Sequence, residues 1–376
     1  MHARNCLKRL RSPLIAVAIF VASLGISTAY NSYEGKREAR PEVSFTQLKL
    51  EAQALAHSSQ DEISGIIADR RQVTLDAVAS LTGVSSLRIG PSEELLVLDT
   101  VGQRAVRFGP DGKLLGPLGT GTIGTHPGDF LFPSGIDPHG QHILVSDFKQ
   151  SRVSELSPRG VFEDSFSIAN ERYSAKALFS PADGSHVYVC GNRYSAGLTT
   201  IHSYSSTGQY EASLLPLPAW AQALNLDAFN DCLPALSENR TLVAFPYEYK
   251  IYELARDVAA ALPLPPPSSY RKPMRPLVFA KVDRSRYRSV FETWKTEWTP
   301  LEAIALAGRD TLAVQYKTYN PLRYTLDMWS LQTSRLIKTI RTNQRLLTAQ
   351  TGRLYFEVYT SSKGDRHEIL SGVVAR

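Results

Sequence analysis

Six short apolar segments recur along the chain, and this repeat constrains the fold more than any other feature of the sequence. Each segment is five residues long, and their last residues lie 48, 44, 54, 70 and 42 positions apart. Such spacing, with one longer insertion, is typical of the four-stranded blades of a propeller. The sequence therefore predicts an all-β, six-bladed β-propeller. The segments are Leu95 to Asp99, Ile143 to Asp147, Val187 to Gly191, Thr241 to Phe245, Thr311 to Gln315 and Arg353 to Glu357.

The first two segments share a longer register. An arginine follows the terminal aspartate by five residues, and a glycine follows it by thirteen, in both units. The aspartate is expected to end one strand, the arginine to open the next, and the glycine to form the turn after that. The residues in question are Asp99, Arg104 and Gly112 in the first unit, and Asp147, Arg152 and Gly160 in the second.

The second unit resembles an NHL repeat. The matching residues are Gly128-Asp129-Phe130, Pro133-Ser134-Gly135-Ile136, Gly140, Val145-Ser146-Asp147, Arg152-Val153 and Gly160. Residues Ile89 to Gly112 resemble a second repeat that lacks the leading part. The resemblance is good over roughly 85–165 and weak over 166–215. It implies a six-bladed propeller in which Asp99, Asp147, Arg104 and Arg152 brace loops.

The sequence before the first unit predicts how the ring closes. Residues 61–376 are assigned to the propeller, with a proline-rich and basic insertion at about 261–297. A strand from Ile63 to Leu81 is expected to complete the sixth blade beside Glu368 to Val374, because closure removes the free sheet edges. Residues 30–60 are interpreted as a polar linker with a short helix over Phe45 to Ala56.

The first 29 residues have the order of a secretory signal peptide. Four basic residues precede an apolar stretch of 13 residues, Leu14 to Ile26, and Ser27-Thr28-Ala29 supplies the small residues of a cleavage site. The alternative is an uncleaved signal anchor, although a membrane-spanning helix needs about 17 or more residues. The protein is thus expected to be exported, periplasmic or secreted, with membrane contact only through this segment if it is retained.

Export changes the charge and the cysteine chemistry. The chain has 42 basic and 36 acidic residues, and removing the four basic residues of the signal leaves a formal charge of +2. Nucleic acid is therefore not an expected partner, since no DNA- or RNA-binding motif is present either. Cys190 and Cys232 remain as a pair in an oxidising compartment, where a disulfide is allowed but not proven by sequence.

No catalytic motif stands out. The chain lacks a Gly-x-Ser-x-Gly elbow, a phosphate-binding loop, a dinucleotide fingerprint and a His-Glu-x-x-His motif. No catalytic residue, metal ligand or cofactor is assigned, and a non-catalytic binding role is favoured. The alternative is a metal-dependent propeller hydrolase or lyase acting on a small ester or lactone, because related six-bladed propellers include such enzymes.

Aromatic and basic residues follow the apolar segments, at one predicted face of the ring. In the loops after the strands, tyrosines suit recognition of sugars or peptides, although they could instead pack between blades. The predicted ligand-binding residues in these loops are Arg193, Tyr194, Tyr247, Tyr249, Tyr316 and Tyr319.

The insertion adds a second feature to that face. Leu262 to Pro267 is a polyproline-like arm, and the stretch from Tyr270 to Lys295 contains eight lysines and arginines against two acidic residues. We expect Arg284, Arg286 and Arg288 to contact an anionic ligand. The alternative is that this stretch forms a pair of solvent-exposed strands without a binding role. Together these features predict an exported module that binds a glycan, peptide or protein, with an anionic glycan or acidic peptide favoured.

Overall fold

The computed structural model describes the propeller and part of its loops. The described residues are 63, 67–76, 79–168, 177–193, 198–224, 226, 232–255, 258–274, 294, 297–319, 322–358 and 367–374. The predicted signal segment and linker lie outside them. Within the described residues, no helix has both the length and the apolar character needed to cross a membrane.

The described residues are almost entirely β-structure. The strands of the N-terminal half are β1 (Ile67–Thr74), β2 (Ser86–Ile89), β3 (Leu95–Asp99), β4 (Arg104–Phe108), β5 (Leu114–Leu118), β6 (Pro133–His139), β7 (His142–Asp147), β8 (Arg152–Leu156), β9 (Phe162–Ser167), β10 (Ala177–Phe179), β11 (His186–Arg193), β12 (Thr199–Ser205) and β13 (Tyr210–Pro216). A short helix, α1, then spans Ala219–Ala223. The remaining strands are β14 (Leu233–Ser237), β15 (Arg240–Phe245), β16 (Glu248–Ala255), β17 (Val258–Ala261), β18 (Leu301–Leu306), β19 (Thr311–Tyr319), β20 (Leu322–Ser330), β21 (Arg335–Thr342), β22 (Arg345–Gln350), β23 (Arg353–Val358) and β24 (Glu368–Val374).

These strands form six antiparallel sheets of four strands each, which are the blades. Five blades use four consecutive strands, beginning with β2, β6, β10, β14 and β18. The first strands of neighbouring blades contact one another, for example β6 with β10 and β18 with β22, so they surround the central channel. The predicted six-bladed β-propeller is confirmed.

The sixth blade joins the two ends of the described chain. Its order is β22, β23, β24 and β1, so the outermost strand comes from the N-terminal side. The strand β1 is antiparallel to β24, with Thr74 opposite Glu368 and Ile67 opposite Val374. Arg353 in β23 also donates to the carbonyl of Asp69 at 2.7 Å. The predicted closing strand is therefore present, and it covers the β24 edge that would otherwise be free.

Each of the six apolar segments is the second strand of a blade, as the repeat predicts. The predicted ends at Asp99, Asp147 and Phe245 are the observed ends of β3, β7 and β15. In contrast, β11 and β19 run on for two and four residues past Gly191 and Gln315, because they pair with β12 and β20 in longer hairpins.

The hydrophobic core lies between neighbouring blades. All five residues of β3 are buried, since a blade in the ring is covered on both faces. Leu96 and Leu98 of the first blade pack with Ile136, Ile143 and Val145 of the second. This arrangement explains why the second strands are continuously apolar rather than alternating.

In three blades, a polar residue of the second strand holds neighbouring loops: Asp99, Asp147 and Gln315. Asp99 accepts hydrogen bonds from the main-chain N–H groups of Thr82 at 2.8 Å and Gly102 at 2.7 Å. Gln315 does the same in a blade without the repeat motif, since its side chain donates to the carbonyl of Gln344 at 2.9 Å and accepts from the N–H of Leu346 at 2.8 Å. These side chains are framework, as expected for the first two units.

A disulfide links two adjacent blades on the same side of the ring. Cys190, in β11, is bonded to Cys232, which precedes β14, and their Cα atoms are 6.0 Å apart. The bridge therefore holds the loop between the third and fourth blades against the third blade. The pairing that the sequence left open is present in the structure.

Candidate functional site

The end of the propeller at which the second strands finish is called the upper face. An open pocket of about 550 Å³ lies on it, between the fourth blade and the loops before and after that blade. We call it the aromatic pocket; it is lined by Trp220, Tyr247, Glu248, Tyr249, Lys250, Leu262, Pro263, Leu264, Pro265, Pro266, Tyr270 and Lys272.

Three chain segments bring these residues together. Trp220 is the second residue of α1, a helix whose N-cap residue is Pro218. The residues 247–250 form the turn between β15 and β16 and the start of β16. The proline arm and the beginning of the basic insertion, which follow β17, supply the third wall. The pocket thus combines loops that are far apart in sequence.

The base of the basic insertion is fixed at this face. The N–H of Arg271 donates to Oγ1 of Thr299 at 2.7 Å, and the N–H of Thr299 donates to the carbonyl of Arg271 at 2.8 Å. These bonds bring the two ends of the insertion together. Arg284, Arg286 and Arg288 lie outside the described residues.

The tyrosines expected as exposed platforms are buried. Tyr247, Tyr249 and Tyr316 are 1%, 5% and 0% exposed. The hydroxyl of Tyr249 donates to Oδ2 of Asp327 at 3.0 Å and accepts from Nε1 of Trp329 at 2.7 Å. Burial raises the pKa of Tyr249, and the neighbouring Asp327 carboxylate raises it further. This ring is therefore held by a buried polar network, with one part lining the pocket.

Tyr316 is part of the same aromatic cluster but stands behind Tyr249. Its ring centroid is 6.1 Å from that of Tyr249 and 6.3 Å from that of Tyr270. Its hydroxyl forms a 2.5 Å hydrogen bond with Oγ of Ser269, at the end of the proline arm. Tyr316 thus supports the arm from below.

The placement of several predicted residues in loops needs correction. Tyr316 and Tyr319 lie within β19, Tyr249 lies within β16, and Arg193 lies at the end of β11. The reason is that these hairpins pair further than the apolar segments indicate, so that aromatic residues continue the strands. The side chains of Arg193 and Tyr319, and the whole of Tyr194, lie outside the described part of the chain.

Trp220 is the aromatic residue of the pocket that sequence reasoning missed. It is half-buried, whereas Trp294, Trp298 and Trp329 are 3%, 2% and 3% exposed. Its ring meets Tyr247 edge to face with centroids 5.9 Å apart, and Nζ of Lys272 lies 5.7 Å from the centre of the Trp220 ring. The only signal available was the sequence Leu-Pro-Ala-Trp, which does not indicate an accessible ring.

Glu248 gives the pocket one acidic group. Burial raises the pKa of its carboxyl, while Lys250, the Tyr252 hydroxyl and Lys272 each act to lower it. Tyr252 donates a long hydrogen bond of 3.4 Å to its Oε2. The pocket therefore combines aromatic and proline surfaces with a carboxylate and two ammonium groups, which can orient a polar ligand.

A second cavity, of about 1240 Å³, opens at the opposite end of the channel. Among its lining residues is Asp137, a fully buried carboxylate whose pKa is raised by burial to about 6. Nε of Arg88 lies 3.1 Å from Asp137 Oδ1, and the N–H and Oγ of Ser180 both donate to Oδ2 at 2.8 Å. These contacts connect the first strands of three neighbouring blades, so this cluster stabilises the ring of blades.

Metal binding was the basis of the alternative enzymatic interpretation. Among the described residues, no group of three or more histidine, cysteine, aspartate or glutamate side chains is arranged to hold a metal ion. The strand-end residues that would point toward such a site, such as Asp99, Asp147 and Gln315, are engaged by loop groups.

Comparison with known proteins identifies the architecture. No protein-family model matches the sequence, and no curated protein is detectably similar to it. In structure, the chain is similar to a Bacteroides fragilis protein named as an exported protein, with 11% identity, a TM-score of 0.57 and coverage of 82% of this chain and 95% of that one. It is similar to a member of the DUF4221 family from Bacteroides vulgatus at 12% identity and a TM-score of 0.56, covering 82% and 97% of the two chains. At such low identity the likeness is one of fold, and the fold is a six-bladed β-propeller.

Proposed function

We propose that the protein is an exported, non-catalytic propeller that binds a glycan, peptide or protein through its upper face. The observation that carries this proposal is the aromatic pocket, in which two blade-connecting loops and one hairpin converge on a half-buried tryptophan. Concave, largely apolar sites with a few placed polar groups are the usual form of a ligand site.

Export is supported by the N-terminal sequence and by the disulfide. In this proposal the mature chain begins near Tyr30, and residues 61–376 form the propeller. A bond between Cys190 and Cys232 requires an oxidising compartment in most organisms, which agrees with a periplasmic or extracellular location.

We also infer that the first two blades are NHL-type repeats. The equivalent aspartates have equivalent contacts: Asp99 accepts from loop amides, and Asp147 accepts from the N–H groups of Leu131 at 2.7 Å and Phe132 at 3.1 Å. Arg152 continues the pattern, since it donates to the carbonyl of Asp129 at 2.6 Å. A shared loop-bracing scheme supports a shared repeat.

The basic insertion is proposed to extend the site. Its two ends are held beside the pocket, and Tyr270 and Lys272 already line it. In this proposal Arg284, Arg286 and Arg288 contact acidic groups of the ligand, while Arg193, Tyr194 and Tyr319 border the site on the neighbouring blades. Binding is then expected to weaken with salt, since exposed charge pairs are screened over about 8 Å at physiological ionic strength.

The proposal is tested by screening the mature protein on glycan and peptide arrays and repeating the screen with single variants. Trp220→Ala and Arg286→Ala are expected to reduce binding to the hits. The matched control is Arg309→Ala, which removes an exposed arginine at the opposite end of the channel. Because the Trp220 ring packs on Tyr247, its removal could also affect folding. The melting temperature of Trp220→Ala must therefore be close to that of the wild type before a loss of binding is assigned to the pocket.

Two results would overturn the proposal. Hits that are insensitive to Trp220→Ala but sensitive to Arg309→Ala would move the site to the other face. Turnover of an ester or lactone by the purified protein would replace a binding role with the hydrolase or lyase alternative.

A further inference from the structure

Lys272 places a cation of the chain itself against the pocket. Its Nζ lies 5.7 Å from the centre of the Trp220 ring, within the distance at which an ammonium group is attracted to an aromatic face. Lys272 is exposed and lies at the start of the insertion, two residues after Tyr270. The ring that a ligand would meet is thus already in contact with an ammonium group.

Glu248 is the acidic partner that a cation at this position would find. Its carboxylate is half-buried, and the hydrogen bond it receives from Tyr252 is long, at 3.4 Å. Burial disfavours its charged form. An ammonium group carries up to three donors and a positive charge, so an ammonium group bound beside Glu248 would stabilise its charged form.

The remaining walls favour a cation over an anion. Tyr247, Tyr249 and Tyr270 line the pocket with Trp220, and aromatic faces carry the negative part of the ring quadrupole. The hydroxyl of Tyr249 is engaged by Asp327 and Trp329, so its donor is not free for an anion. An anion in the pocket would face the Glu248 carboxylate and these rings, and would have to pair with Lys250 or Lys272.

Lys250 does not have the same position. Its Nζ lies 5.1 Å from the centre of the Tyr252 ring, a different aromatic surface. The two lysines contribute the same charge, but Lys272 lies over the ring of Trp220 and Lys250 over the ring of Tyr252. They therefore form a natural pair of variant and control.

We infer that the aromatic pocket is an ammonium-binding subsite, formed by Trp220 and Glu248, and that Lys272 is an internal occupant which the ligand displaces. The inference rests on the proposed function, because it assigns chemistry to the same pocket. The group bound is a primary or quaternary ammonium.

An internal occupant lowers the apparent affinity of a ligand by the fraction of molecules in which the site is free. Removing a cation–π contact of ordinary strength at an exposed site should change that fraction by roughly two- to fivefold. Lys272→Ala is therefore expected to strengthen the binding of a cation by that factor. If only the loss of a positive charge mattered, Lys250→Ala would strengthen cation binding as much as Lys272→Ala does.

The experiment is a ligand-observed NMR titration of the mature protein with small probes. Choline represents the quaternary ammonium, N-acetyl-lysine methylamide represents the primary one, and 3,3-dimethyl-1-butanol is the neutral isostere of choline. We expect one or both cations to bind and the neutral alcohol to bind at least tenfold more weakly. Comparison of the two cations tells which ammonium class the pocket takes.

The variants then test the residues. Lys272→Ala should tighten cation binding two- to fivefold, Lys272→Arg should not tighten it, and Lys250→Ala should change it by less than Lys272→Ala. Glu248→Gln should weaken cation binding at least fivefold and leave the alcohol unchanged. Melting temperatures confirm that each variant is folded.

The inference is overturned if choline and the lysine derivative bind no better than the neutral alcohol, or if Lys272→Ala weakens their binding. It is also overturned if Lys250→Ala and Lys272→Ala have the same effect. These failures are separate from failure of the proposed function: array hits that depend on Trp220 while neither cation binds would retain the upper-face site and remove the ammonium subsite.

Discussion

Asp147 offers the sharpest test of how the upper loops are held. Its buried carboxylate accepts hydrogen bonds from the N–H groups of Leu131 at 2.7 Å, Phe132 at 3.1 Å and Gln150 at 3.0 Å. Asp147→Ala leaves all three main-chain donors without this acceptor. An unsatisfied buried donor costs about 1–3 kcal/mol, and the lower value applies because these loops are near water.

The expected loss of unfolding free energy is therefore about 3 kcal/mol. For a domain of this size, that corresponds to a fall in melting temperature of about 5 °C. Asp147→Asn should lose less, because the amide oxygen still accepts from one side. The assay is chemical and thermal unfolding of the mature protein, followed by circular dichroism and tryptophan fluorescence.

The control is Asp164→Ala, which removes an exposed carboxylate of the same blade whose hydrogen bond goes to the next residue, Ser165. It should change stability by less than about 0.5 kcal/mol. If Asp147→Ala costs no more than this control, the carboxylate does not brace the loops. Its proximity to the upper face would then make it a ligand candidate.

Three further predictions concern the bridge, the channel and the ring closure. Replacing both Cys190 and Cys232 by serine should cost about 4 kcal/mol, since the chain-entropy model gives that value for a separation of 42 residues; unchanged unfolding under oxidising and reducing conditions would contradict it. The pKa of Asp137 is raised from 3.8 to about 6, so the folded state prefers the protonated carboxyl. The free energy of unfolding of the wild type, relative to that of Asp137→Asn, should therefore fall as pH rises from about 4 to 6. A difference that does not change with pH would refute this. A chain beginning at Asp76 lacks β1 and exposes β24, so size-exclusion chromatography should show aggregates rather than a stable monomer.

The propeller could be predicted because its signal is local and repeated. The second strand of the first blade is buried throughout, so a run of four apolar residues marks it, from Leu95 to Leu98. The closing strand β1 could be expected from the topology, because a ring with a free edge at β24 would be left incomplete. Strand length was harder, since the extent of β19 depends on its pairing with β20, from Thr311 opposite Ser330 to Tyr319 opposite Leu322.

The pocket could not be read from the sequence in the same way. Tyr249 is buried, and its hydroxyl donates to the carboxylate of Asp327, which is 78 residues away in the sequence. Trp220 has an accessible ring only because α1 and the proline arm meet at the fourth blade. Contacts between distant loops have no periodicity, so sequence reasoning did not identify Trp220 as a residue of this pocket.

Two of the blades that depart from the repeat, the third and the fourth, lie next to the pocket. In the first two blades an aspartate at the end of the second strand fixes the incoming loop, at Asp99 and Asp147. The third blade has Gly191 at that position, and the neighbouring Cys190 instead fixes the next loop covalently. The fourth has Phe245, whose ring stacks on Tyr247 with centroids 5.5 Å apart.

A carboxylate brace needs several loop amides directed at one point, and so restricts the path of the loop. A disulfide fixes the position of one residue of the loop, and an aromatic stack fixes the position of one ring. Each therefore allows more variation in the sequence and length of the rest of the loop. The loop that carries Trp220 and the longer one that carries Lys272 are both found where these substitutes replace the aspartate. The aromatic pocket therefore lies beside two blades in which no aspartate at the end of the second strand fixes the incoming loop.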